Sequence, residues 1–218
     1  MIHVIIRENM DRTMEHIDLS LLFEPHYFTE EEKEKCQKFA DASDNRFYEK
    51  RGQTSDKKKS IDCFVGKLGE VAAYRRLSLF VDMNEPDFEI YPPNLKSWAE
   101  DLNVFGRKIH AKSQNSTKLL RYPKSWTFQH GQGGTDKEVF CENPLGIACF
   151  IDVDIWQNTG TVRVFVDIKE LHKRHLFKLP VASWLKDSKL CVYYNDIVSN
   201  DLHERVPQSL STAIFMAQ

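Results

Sequence analysis

Between Asp101 and Gln114 the sequence reads Asp-Leu-Asn-Val-Phe-Gly-Arg-Lys-Ile-His-Ala-Lys-Ser-Gln, with its polar groups spaced for a strand. Side chains alternate across a strand, so His110, Lys112 and Gln114 share one face while Ile109 and Ala111 share the other. Gly106 marks a turn that folds the segment before it back antiparallel, bringing Asp101 beside the His110 and Lys112 end of its partner. A carboxylate, an imidazole and an ammonium in one small site suit metal-assisted hydrolysis of a phosphodiester. The carboxylate and a further ligand hold a divalent cation, and the ammonium stabilises developing charge or orients the attacking water. Glu70, in Gly66-Lys67-Leu68-Gly69-Glu70, offers a second carboxylate.

These groups need elements to hold them. Ile61, Phe64, Val65, Leu68, Val71, Ala72 and Leu77 recur at helical spacing, which predicts one long buried helix over residues 60–78. Gly66 and Gly69 lie inside it; each costs about 1 kcal/mol relative to alanine in a helix interior, so something is expected to pack against the backbone there. Upstream, Thr29 followed by Glu30, Glu31 and Glu32 is a capping signature and predicts a helix over 30–40, with Cys36, Phe39 and Ala40 on its apolar side. Strands are expected at 88–91, 102–104, 108–112, 147–155 and 161–168. The last two form a hairpin around Asn158-Thr159-Gly160, in which Val162, Val164 and Val166 alternate with Arg163, Phe165 and Asp167; 147–155 is apolar enough to be central. Helical pieces at 168–177 and 181–186 and a short strand at 190–194 complete the pattern. Residues 1–59 read as a helical and polar extension packed on a core of 60–218, in a single α/β or α+β domain.

At 218 residues, with 41% hydrophobic and 28% charged, the chain excludes collagen-like, mucin-like and disordered classes. Thirty Lys plus Arg against thirty-two Asp plus Glu give a net charge of −2, so any anionic partner must be held by a local patch. The five cysteines are scattered, without zinc-finger spacing, and are expected to be reduced. With no signal-peptide pattern at Met1-Ile2-His3-Val4-Ile5-Ile6-Arg7 and no run of about 18 apolar residues, a cytoplasmic protein is the expectation.

Glu70 on a helix, then Asp101, a hairpin turn and a strand ending x-x-Lys-x-Gln resemble the restriction-endonuclease-like, or PD-(D/E)xK, nuclease superfamily, over roughly residues 61–114. The resemblance implies a mixed central sheet flanked by helices and a divalent-metal-dependent endonuclease using Mg²⁺ or Mn²⁺. It also implies a site of Glu70, Asp101, the position held here by His110, and Lys112, with Gln114 two residues beyond the lysine. The family's second acidic group is replaced by His110; imidazole brings no negative charge and suits Mn²⁺ or a later transition metal better than Mg²⁺. Asp87, in Pro86-Asp87-Phe88-Glu89, is a rival for the family's aspartate, but Asp101 stands at the mouth of the hairpin with the lysine strand.

DNA is the expected partner. Lys118, Arg121 and Lys124 follow the site, and with Gln129, His130 and the aromatic Tyr122 and Trp126 they form a plausible substrate wall. The competing account makes Trp126 and Phe128 core. Arg46, Arg51, Lys57, Lys58 and Lys59 are a second group suited to phosphate contacts, although a three-lysine run is equally a solvated face. A phage or restriction nuclease is the first reading, with a homodimer as an option for double-strand cutting. A non-catalytic nuclease-like DNA-binding or protein-interaction module and an RNA nuclease are the alternatives.

Overall fold

The computed structural model describes residues 17–43, 56–90, 101–117, 122–132 and 134–217, with side chains from residue 60 onward in the helix that begins at Asp56. Five strands form the central sheet in the order β1-β6-β5-β3-β2: β1 (His26–Tyr27), β2 (Leu102–Val104), β3 (Arg107–Asn115), β5 (Ile147–Asp154) and β6 (Thr159–Asp167). β3 and β5 run parallel and the other pairings are antiparallel, so the sheet is mixed and the class is α/β. A separate two-stranded sheet joins β4 (Ser125–Gln129) to β7 (Lys189–Tyr193). No helix among the described residues is long and apolar enough to cross a membrane.

Two helices precede the β2–β3 hairpin. α1 (Glu30–Ser43) begins where its capping residues predict: the Thr29 N–H donates to Glu32 Oε2 at 3.0 Å, and the Glu32 N–H donates to Thr29 Oγ1 at 3.2 Å. α2 (Asp56–Leu77) is the long helix, starting four residues before the expected boundary at residue 60. It buries Val65, Leu68, Val71, Ala72, Ala73 and Leu77 on the sheet. A Cβ built on Gly69 would lie 1.7 Å from Ser113 Oγ of β3, so the helix backbone rests directly on the strand. Gly66 meets nothing within 4 Å, and only one of the two glycines is there for close approach.

The sheet separates two apolar layers. Ile109, Ile147, Cys149, Ile151 and Val153 face α2, the segment at Leu19–Phe23 and the helix α5 (Gln208–Met216). Ala148, Phe150, Val164 and Val166 face Trp126 and Phe128 of β4, together with α3 (Ile168–Lys173), α4 (Tyr194–Ser199) and β7. β5, buried on both faces, is central as its composition predicts.

Local expectations fail in two places. Residues 88–90 form no strand; Phe88 packs edge-on against Phe39 instead. Strict alternation in β6 is broken by an irregularity opposite Phe150/Ile151, where Val162 pairs Ile151 but Val164 pairs Phe150. Arg163 is the extra residue, and the bulge aims it at Asp152. Among the described residues before α2, β1 is an edge strand of the sheet and Leu19, Leu22, Phe23, Phe28 and Cys36 belong to its core.

Candidate active site at the β2–β3 edge

β2 pairs β3 for three residues, Leu102 with Ile109, Asn103 with Lys108 and Val104 with Arg107, around a turn in which Phe105 and Gly106 have positive φ. Just before the ladder starts, the Asp101 N–H donates to the Ile109 carbonyl at 3.1 Å, and Asp101 Oδ2 accepts the Ala111 N–H at 2.8 Å. A carboxylate thus takes the place of the next strand residue and is fixed at the sheet edge.

Glu70 approaches from α2. Its side chain is 15% exposed and its Oε2 accepts from Lys67 Nζ at 2.5 Å. Lys67 also donates to the Asp87 carbonyl at 2.6 Å and lies over the rings of Phe39 and Phe88, so the group orienting Glu70 is itself clamped. Burial, and next the Asp101 carboxylate, push the Glu70 carboxyl up against the opposing pull of Lys67 and, more weakly, Lys112, and it ends at about 8. Two carboxylates and the Lys112 ammonium therefore act on one another here. Asp87, the rival aspartate, spends an oxygen on the Glu89 N–H at 2.8 Å.

The phase predicted for β3 is present. Ile109 and Ala111 face α2; His110, Lys112 and Gln114 stand beside Ala148, Phe150 and Asp152 of β5 on the opposite layer. Lys112 Nζ lies 3.9 Å from Asp136 Oδ2 and 5.3 Å from the Phe128 ring centre. His110 is buried facing Glu138. Gln114 Oε1 accepts the Ser125 N–H at 2.9 Å and ties β4 to β3. His110 is thus on the far face from Glu70, with Asp101 at the edge between them. Among the described residues no three His, Cys, Asp or Glu side chains are grouped closely enough to cage an ion.

Lys67, Asp136 and Glu138 escaped the sequence reading. Lys67 stands one helical turn before Glu70, a spacing that signals an ion pair. Asp136 and Glu138 follow β4, and no local pattern announces that their loop returns to β3.

The expected substrate wall divides. Trp126 and Phe128 are both 1% exposed and are core, Trp126 stacking on Phe150 at 4.8 Å. Lys124 Nζ is paired with the buried Asp152, which also accepts from Arg163 Nε at 2.6 Å. Gln129 accepts from Lys189 and donates to the Gln132 carbonyl, and His130 packs edge-on against Phe140. Arg46, Arg51, Lys118, Arg121 and the side chains of Lys57, Lys58 and Lys59 lie outside the described residues. Comparison with family models, with curated proteins and with solved structures finds no match to this chain.

Proposed function

We propose that this protein is a divalent-metal-dependent nuclease of the restriction-endonuclease-like kind, hydrolysing phosphodiester bonds of DNA. The observation that carries the reading is that the Asp101 carboxylate, fixed at the hairpin mouth by the Ala111 N–H, acts electrostatically on Glu70 of α2, with Lys112 acting more weakly on the same group. The chain order of long helix, antiparallel hairpin and lysine strand, within a mixed sheet, supports the reading.

The donor set fits a hard cation. Burial first, and the neighbouring Asp101 carboxylate second, raise Glu70 to about 8, and a bound Mg²⁺ or Mn²⁺ would relieve both. Held by Glu70 and Asp101, such an ion would neutralise charge on a scissile phosphate. Lys67 orients Glu70, and Asp101 is fixed by the β3 backbone. Lys112, 23% exposed and 3.9 Å from Asp136 Oδ2, shares with His110 the β3 face turned away from α2, so serving a phosphate oxygen or an attacking water at the Glu70–Asp101 corner requires its side chain to leave Asp136 and reach around the sheet edge.

Lys112→Ala and Asp101→Asn should each abolish Mg²⁺- or Mn²⁺-dependent nicking of plasmid DNA while circular dichroism and thermal midpoint stay near wild type. Undiminished nicking by both variants removes the site assignment. A non-catalytic DNA-binding or protein-interaction module is the second reading, favoured by His110 standing where an acid is expected and facing Glu138. Wild-type protein that nicks neither DNA nor matched RNA with either metal supports the module; cleavage of RNA alone supports a ribonuclease.

A further inference from the structure

Where β3 and β5 begin and β6 ends, the structure opens into a cavity of about 430 Å³, within the size range of small-molecule sites. Arg107 of β3 lines it, whereas Ala111, whose N–H holds Asp101, stands four residues further on, about 13 Å along the strand; this is not the Glu70–Asp101 corner. Gly106 and Gly146, both at positive φ, leave bare backbone in the wall, and a Cβ on Gly106 would meet nothing within 4 Å. Pro144, Leu145 and Ile147 supply an apolar side on which Leu145 is left 68% exposed.

Five charged side chains line the cavity, and their pairing sorts them. Lys108 donates to Glu138 at 2.7 Å and Glu170 accepts from Arg174 at 2.5 Å, so each has its counter-charge. Asp167 precedes α3 without capping it; its Oδ1 accepts instead from Ser209 Oγ at 2.7 Å, across the cavity wall. Arg107 and Lys169 are exposed, and their side chains meet no acid or acceptor among the described residues. One cavity thus carries two unanswered cations from separate elements, beside an acceptor and an apolar surface.

A carboxylate brings a single charge to such a pair, whereas a phosphate monoester carries about −1.5 to −2 near pH 7 and three strong acceptor oxygens. Arg107 offers a planar fork to two of those oxygens and Lys169 a point charge to the third. We infer that this cavity binds a phosphate monoester of mononucleotide size, its phosphate between Arg107 and Lys169, its body against Leu145 and Ile147, and a sugar hydroxyl donating to Asp167. Inorganic phosphate alone would leave most of the volume and the apolar side to water. A free nucleotide and the 5′ end of a nucleic-acid strand present the same group. The site does not depend on the nuclease reading, because no part of it is shared with Glu70, Asp101 or Lys112.

The test is a titration of deoxyadenosine 5′-monophosphate into the full-length protein, followed by calorimetry and by amide shifts in two-dimensional NMR. EDTA is present throughout, so that no ion can hold a phosphate at the Glu70–Asp101 corner. One nucleotide per chain is expected, with the Gly106, Gly146 and Lys169 amides among the largest shifts. Deoxyadenosine, lacking the phosphate, should bind about tenfold more weakly or worse. Arg107→Gln and Lys169→Gln should each weaken the nucleotide about fivefold or more, while Lys186→Gln, at an exposed lysine outside the cavity, leaves it within about twofold. Both cavity changes are at exposed positions, and circular dichroism checks that each variant is folded. Competition by a 5′-phosphorylated tetranucleotide and not by its unphosphorylated form assigns the site to strand ends; failure of both to compete assigns it to the free nucleotide. Absence of binding at millimolar nucleotide, equal affinity for deoxyadenosine, undiminished binding by both cavity variants, or shifts confined to other parts of the molecule overturns the site.

Discussion

Glu32 and Glu70 are two helix glutamates with nearly equal side-chain exposure, 9% and 15%, and opposite electrostatics. Burial alone would raise Glu32. It is outweighed by the Thr29 N–H, by Arg75 Nε at 2.7 Å and by His26 at 3.0 Å, and the carboxyl ends below its usual range. Glu70 has one hydrogen-bonded lysine, with Lys112 a weaker pull, against burial and the Asp101 charge, and it ends at about 8. A buried acid surrounded by donors is structural. A buried acid set against another acid is held there by the rest of the fold at a cost in stability, and that is the mark of a working group.

The contrast can be broken most decisively by activity. Glu70→Gln should lower DNA nicking by about a hundredfold or more, whereas Glu32→Gln, measured per folded molecule, should leave it within a few-fold. Equal losses in plasmid assays would erase the distinction. Next in size is the seat of Glu70. Gly69→Ala drives a methyl into Ser113 and should cost about 2–3 kcal/mol in urea unfolding. Glu32→Gln removes charge-assisted bonds and should cost about 2 kcal/mol, or ~4–8 °C in thermal midpoint.

The pH dependence sharpens the contrast further. Glu70 is raised above its unfolded value of 4.5, so its favourable contribution is complete below that value and disappears as pH rises through about 8. Glu32 is lowered, so its contribution is present above 4.5 and is lost as pH falls through its folded value. In EDTA the wild-type midpoint should decline between pH 4.5 and about 8 and level off above, a decline missing from Glu70→Gln; Glu32→Gln should flatten only the acid limb. Smallest of all, Gly66→Ala should stabilise by up to about 1 kcal/mol, since nothing lies within 4 Å of it.

What could be read from the sequence was local. The capping residues of α1, the apolar period of α2, the Gly106 turn and the two-residue alternation of β3 all act between near neighbours, and each is found in the fold. What escaped depends on distant segments. Ser125–Gln129 alternates as a strand should, but its partner is Lys189–Tyr193, more than sixty residues on, so its aromatics read as a surface wall. The bulge at Arg163 is set by Asp152 on the neighbouring strand, and Glu138 reaches His110 only because the β4 sheet folds over that face. Phe88 and Ile90 have strand-forming side chains, yet Phe88 is claimed by Phe39 and two lysines.

Among the described residues, both edges of the five-stranded sheet are closed by very short strands, two residues of β1 and three of β2. A long bare edge is a template for a second copy of the chain, and short, charged edges discourage such pairing. Asp101, by occupying the Ala111 amide with a carboxylate, denies a foreign strand that hydrogen bond and sets a charge in its path. The residue placed at the centre of the proposed chemistry therefore also guards against aggregation, and a variant that disarms it should be watched for fibres as well as for lost cleavage.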